Sequence, residues 1–79
     1  MFYVYVIKSD SGKHYTGHTN NIQRRLSEHN NGMCKTTKPE SNWEIVHLEK
    51  FDTRGKAMIR EKWLKTGKGR AFIKSIITD

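Results

Sequence analysis

Phe2-Tyr3-Val4-Tyr5-Val6-Ile7 is an unbroken run of aromatic and β-branched side chains, and no other stretch limits the possible folds as much. The run has strand length and strand propensity. Successive strand side chains point to opposite faces, so a segment apolar at odd and even positions alike must be covered on both sides. It therefore predicts a central strand. At 79 residues the chain has material for one small core and is expected to form a single domain over residues 1–79.

The remaining segments supply the cover. Ser9-Asp10-Ser11-Gly12 has turn chemistry, with Gly12 free to take positive φ, and Lys13-His14-Tyr15-Thr16 follows as a second strand of a hairpin. An odd number of unpaired loop residues would set Tyr5 opposite Tyr15, with both hydroxyls on one face. Thr19-Asn20-Asn21 offers N-caps, and Ile22, Leu26 and His29 recur at helical spacing until Asn30-Asn31-Gly32. Arg25 and His29 lie four apart on one side of that helix. The polar stretch from Met33 to Asn42, with Pro39, reads as a loop, and Trp43 to Phe51 as a third strand. Asp52 or Thr53 caps a second helix running to about Thr66. Gly67-Lys68-Gly69 reads as a helix connection, and Arg70 to Thr78 as a last helix with Phe72, Ile73, Ile76 and Ile77 at core spacing. The expected fold is α/β (α+β): a small sandwich with a three-stranded antiparallel sheet flanked by about three helices.

Charge narrows the partners. A formal net charge of +7 makes a polyanion the default partner, with nucleic acid ahead of a membrane surface; a generic solvated basic surface is the alternative. The single cysteine, Cys34, can form no internal disulfide and supplies no cysteine cluster for zinc. The apolar run from Met1 to Ile7 ends at Lys8, too short for a signal peptide or a membrane span. A soluble cytoplasmic protein is expected.

Several side chains carry two readings. On the second helix at 100° per residue, Glu61 falls between Ala57 and Leu64 on one side and Met58 on the other. Ile59 and Trp63 occupy a second apolar arc, so the helix is expected to be wedged between neighbours. Glu61 is also the one acid among eight basic residues from Arg54 to Lys74. It either pairs with Arg60 or Lys65 or holds a cation, because Mg²⁺ at nucleic-acid sites often takes one carboxylate plus water and phosphate oxygens. Arg25 either pairs with Glu28 or meets phosphate, and Tyr5 and Tyr15 either fill the core or present hydroxyls to a site. His14, His18 and His47 read as surface or strand-facing residues; His14 and His18 straddle Gly17, which excludes a helical metal pair. Gly67-Lys68-Gly69 lacks the spacing of a phosphate-binding P-loop.

Together, Tyr3-Val4-Tyr5, Tyr15-Thr16-Gly17, the Arg24-Arg25-Leu26-Ser27-Glu28-His29 helix and the Arg60-Glu61-Lys62 helix resemble the GIY-YIG nuclease domain, in the form of its short single-domain bacterial members. The resemblance covers nearly the whole chain. Its specificity lies in spacing: an arginine eight residues beyond Gly17, a histidine four further, and a glutamate on a later helix. It implies Tyr5 and Tyr15 as motif tyrosines, Gly17 as the motif glycine on the binding side of the site, Arg25 as catalytic arginine, His29 as its helix partner and Glu61 as ligand of one Mg²⁺ or Mn²⁺ ion. The chain departs from the pattern at Tyr3, Val4 and Thr16, and Gly69 to Asp79 lacks the asparagine that many members carry.

The resemblance implies a metal-dependent endonuclease that hydrolyses phosphodiester bonds in DNA, in repair or in structure-selective cleavage. A motif tyrosine would serve as general base, its pKa lowered from about 10 by nearby positive charge, or both tyrosines would position water. Arg25 would hold a nonbridging oxygen, and His29 would orient a tyrosine or contact phosphate. Two other classes stand beside this one: a non-catalytic nucleic-acid-binding module in which Arg54 to Lys74 tracks phosphates, and an accessory protein whose basic face docks on a larger complex. Trp43, read as an exposed aromatic, would permit a weak homodimer as well as a monomer.

Overall fold

In a computed structural model that describes residues 1–34, 40 and 42–77, strand β1 (Phe2–Lys8) lies between β2 (His14–Thr19) and β3 (Glu44–Phe51) in an antiparallel sheet. Helix α1 (Ile22–Asn30) covers one face, and α2 (Arg54–Leu64) with α3 (Gly67–Ile76) covers the other. The doubly apolar run is the central strand its pattern predicts. Val4 and Val6 pack against Ala57, Leu64 and Ile73, while Tyr5 and Ile7 pack with Trp43, Tyr15, Ile22 and Leu26. Side-chain oxygens of Asn21, Thr53 and Thr66 accept the N–H groups of Arg24, Lys56 and Gly69 and so cap the three helices. Among the described residues no helix is long and apolar enough to cross a membrane.

The hairpin register differs from the expected one. Lys8 pairs with His14, so Tyr5 falls opposite Gly17 and Tyr15 opposite Ile7. The turn holds Lys13 out of the ladder: the Ser9 N–H donates to the Lys13 carbonyl at 2.9 Å, and the Lys13 N–H donates back to Ser9 Oγ at 3.2 Å. Gly12 sits at φ 88° inside this turn. Because strand alternation has period two, both tyrosines still share one face.

Three other expectations change. Gly67-Lys68-Gly69 is not a connection but the first turn of α3, leaving only Lys65 and Thr66 between the helices. The second apolar arc of α2 is not fully covered within the described residues: Ile59 is 72% exposed and Trp63 37%. Arg60 lies where a further element was expected, stacked over Trp63 at 4.7 Å and Phe72 at 5.2 Å and doubly hydrogen-bonded to Glu49. Trp43 is buried rather than exposed, so it offers no dimer surface. Its N–H donates to Asn30 Oδ1 at 2.6 Å and its carbonyl accepts from Asn30 Nδ2 at 3.1 Å, which fixes it just before β3 begins. The loop reading around Pro39 and the helix end at Thr78 lie outside the described residues.

Candidate functional site

Tyr5 is the centre of the α1-side cluster. Gly17 lies directly across from it, and a Cβ there would come within 2.6 Å of the phenol oxygen and 2.9 Å of its ring carbon. The absence of a side chain at Gly17 is what lets the Tyr5 ring lie over β2. Its oxygen then meets both functional side chains of α1. The phenol hydroxyl and His29 Nε2 share a hydrogen bond at 2.8 Å, and the phenol oxygen accepts from Arg25 Nε at 3.3 Å. The i, i+4 spacing of Arg25 and His29 therefore does what it suggested. Arg25 also donates through Nη1 to Glu28 at 3.1 Å, so pairing with Glu28 and facing the site are compatible. The Tyr15 ring completes the group, 6.3 Å from Tyr5 and 5.0 Å from His29 between centroids.

Electrostatics assign a role to Tyr5. Burial pushes its hydroxyl up to about 12 despite the hydrogen bond and charge of Arg25. The hydroxyl is thus protonated at neutral pH and links the Arg25 guanidinium to the His29 imidazole. Its bond to Arg25, helped by Glu28, keeps the guanidinium firmly charged. Burial, and then the Arg25 charge, hold His29 below its usual value. A histidine neutral in the fold takes up a proton on unfolding, so its contribution to stability is complete above about pH 6.5 and lost as pH falls toward the folded value. Melting temperature is expected to fall between about pH 7 and 5, before the carboxylates titrate, and His29→Gln is expected to flatten that slope. An unchanged slope in the variant would place the effect on another group.

Glu61 belongs to a different cluster. It sits near the end of α2, with Oε2 2.6 Å from Lys65 Nζ and Oε1 bonded to His18 Nδ1. Burial raises its pKa, but the hydrogen bonds and charge of Lys65 and His18 outweigh that and hold the carboxyl below its ordinary range. His18 pairs across the ladder with Val4 and so stands on the α2–α3 face, whereas Tyr15 and Gly17 point to the α1 face. Tyr5, Tyr15, Gly17, Arg25 and His29 are thus brought together, and Glu61 stands around the edge of β2 from them. Lys65 spans the gap, its Nζ 5.9 Å from the Tyr15 ring centroid. Arg60, the other candidate partner of Glu61, bonds to Glu49 instead. Sequence reasoning missed His18, whose only signal was its alternation with Thr16 on the inner face of β2.

The fit of a divalent ion follows from these bonds. Both Glu61 oxygens are engaged by nitrogen groups, and an ammonium already occupies the place of a cation. Among the described residues no three His, Cys, Asp or Glu side chains gather about a common point. As arranged, the residues do not fit a divalent ion at Glu61 while Lys65 stays on it.

A groove of about 470 Å³ runs between the start of β2, His14 to Thr16, and the α2–α3 corner. Buried Leu64 and Ile73 form its base, and the exposed Lys65, Arg70 and Lys74 stand along it. It opens beside Tyr15 and shares Lys65 with the Glu61 cluster. Three cations around one concave surface favour an anionic occupant.

The amino-acid sequence that folds in this way matches the family model of the GIY-YIG catalytic domain across residues 1–73. The chain belongs to the GIY-YIG family. It is similar to a UPF0213 protein of Halobacterium salinarum, 42% identical over 66 residues that make up 82% of this chain and 86% of the relative. A UPF0213 protein of Staphylococcus saprophyticus is 40% identical over 65 residues, covering 81% and 79% of the two chains. Among solved structures, the solution NMR structure of a UPF0213 protein from Bacillus halodurans superposes with a TM-score of 0.58 at 28% identity, over 96% of this chain and 85% of that one.

Proposed function

We propose that this domain binds nucleic acid by seating the sugar–phosphate backbone in the groove between β2 and the α2–α3 corner. The observation that carries the reading is the placement of Lys65, Arg70 and Lys74 around one concavity in a chain of net charge +7. The interface is narrower than the whole basic tract from Arg54 to Lys74, because Arg60 is committed to Glu49 and Lys56 to Asp52. Family membership makes DNA the polymer to test first. Each phosphate neutralised contributes about 0.7 to 0.9 to the slope of log K against log salt. Arg70→Ala with Lys74→Ala is therefore expected to reduce that slope by about 1.5 and to weaken binding of a labelled oligonucleotide in EDTA. Unchanged affinity and slope would move the interface elsewhere.

A second reading, metal-dependent hydrolysis of the phosphodiester, is favoured by the Tyr5–His29–Arg25 cluster. A guanidinium held charged against a buried phenol is more than a core needs. Arg25 retains N–H donors beyond those given to Tyr5 and Glu28, and these would hold a nonbridging oxygen. Tyr5 would orient Arg25, His29 would lock Tyr5, and Tyr15 would border the attacking water. Mg²⁺ or Mn²⁺ at Glu61 would supply charge neutralisation once Lys65 has moved. The two readings separate when duplex, branched and single-stranded DNA are incubated with Mg²⁺, Mn²⁺ or EDTA. Cleavage that EDTA abolishes supports the nuclease; salt-sensitive binding that metal does not alter, without cleavage, leaves a binding module.

A further inference from the structure

Among the described residues, Lys65 is the one cation of the groove that pairs with a carboxylate. Glu61 stands four positions before it, the favourable order for such a pair on a helix, and their side chains meet at 2.6 Å. The Lys65 N–H also donates to the Glu61 carbonyl at 3.2 Å, where α2 ends. The other carboxylate oxygen is bonded to His18 on β2, so Glu61 is anchored to the sheet as well as to its helix. Its side chain is 17% exposed and that of Lys65 48%, which leaves the pair with a fixed half and a half turned to solvent. A carboxylate beside an anion groove needs a reason, because its charge repels phosphate and a part-exposed ion pair adds little to stability. What it supplies is position. Lys65, Arg70 and Lys74 repel one another, and a lysine side chain is long and flexible. Bonded to Glu61, the Lys65 ammonium stays over the Tyr15 ring, 5.9 Å from its centroid, with two N–H donors beyond the one given to the carboxylate.

We infer that Glu61 is a positioning residue of the groove: through its bond to Lys65 it holds that ammonium beside Tyr15, where a nucleic-acid phosphate meets a cation already in place. The inference rests on the reading of the groove as a phosphate site. It gives the carboxylate a role that needs no metal, and the donor set agrees. One Glu61 oxygen faces an imidazole, the other an ammonium, and among the described residues no third His, Cys, Asp or Glu gathers with His18 and Glu61. A group placed in advance costs less to order when the ligand arrives. The sign of the effect is then opposite to that of charge alone. Neutralising an acid near the groove should by itself help an anion bind, whereas here it releases Lys65 and weakens binding.

The test measures affinity and salt slope for a labelled DNA oligonucleotide in EDTA, in the wild type, Glu61→Gln, Lys65→Met and the variant carrying both changes. Arg70→Ala with Lys74→Ala serves as the groove reference. Glutamine keeps the shape of Glu61 and offers His18 either a donor or an acceptor, so the fold is expected to hold, which melting followed by circular dichroism checks. Glu61→Gln is expected to weaken binding about threefold, by the loss of preorganisation. It should also lower the salt slope in the direction of Lys65→Met, which loses one phosphate contact and about 0.7 to 0.9 of slope. In the Lys65→Met background the same glutamine is expected to leave binding unweakened, because the residue it acts through is gone. Binding by Glu61→Gln as tight as the wild type or tighter would overturn the inference, and so would equal weakening in both backgrounds. The series is then repeated with Mn²⁺ in place of EDTA; a tightening seen in the wild type and absent from Glu61→Gln would make the glutamate a metal ligand and overturn it as well. If the groove reference binds like the wild type, the groove reading fails and the inference with it. If the reference weakens and Glu61→Gln does not, only the positioning role fails.

Discussion

Gly69→Ala is expected to lower the melting temperature by about 10 °C or more, or to prevent folding. Gly69 lies in the first turn of α3, and a Cβ there would reach 2.5 Å from the Leu64 carbonyl carbon and closer still to Leu64 Cα and the Trp63 carbonyl oxygen. These are backbone atoms of the last turn of α2, which no rotamer change can withdraw. With only Lys65 and Thr66 between the helices, the corner must open for a methyl group to enter. Overpacking costs about 1 to 3 kcal/mol and sometimes more, and each kcal/mol moves the midpoint of a domain this size by about 4 to 8 °C. Gly67→Ala is the control. Nothing stands within 4 Å of a Cβ at Gly67, so the helix should gain up to about 1 kcal/mol of propensity. Thermal unfolding followed by circular dichroism should separate the two variants widely; equal midpoints would show that the helices do not meet at Gly69.

Gly17→Ala is expected to lower the rate of any metal-dependent cleavage by about 10²-fold while leaving binding to the groove nearly intact. The added methyl group would overlap the phenol end of Tyr5, a side chain with almost no exposed surface. The ring must tilt, and its bonds to His29 and Arg25 go with it. A displacement of about 1 Å in a positioned group costs about this much, and Arg25→Ala, which removes the charge donor outright, should cost about 10²-fold or more. Glu61→Ala should remove metal-dependent cleavage without unfolding the domain. The displacement has a readout independent of turnover, since the His29 ring resonances should move in Gly17→Ala and stay put in Gly67→Ala. Wild-type cleavage together with unmoved His29 resonances in Gly17→Ala would mean that Tyr5 does not hold the site.

Much of the fold was legible because it depends on short-range rules. The doubly apolar run from Phe2 to Ile7 identified the central strand, the Thr19-Asn20-Asn21 and Asp52-Thr53 stretches contained the residues that cap α1 and α2, and the spacing of Arg25 and His29 put both on one side of α1. What was hidden depends on partners distant in the chain. His18 meets Glu61 across 43 positions, and Trp43 is buried because His29 and Asn30 receive it. The register turned on a mutual bond between Ser9 and Lys13 that turn propensity does not specify. The Gly67-Lys68-Gly69 segment read as a breaker because glycine weakens helices. Here a glycine is required where α3 begins, since a helix with side chains there could not approach α2 so closely.

Asn30 grips Trp43 by both its backbone groups, and the indole of Trp43 in turn lies 6.4 Å from the His29 ring between centroids. One amide at the end of α1 thereby ties the entrance of the third strand to the helix that carries the imidazole, and its loss would loosen both at once.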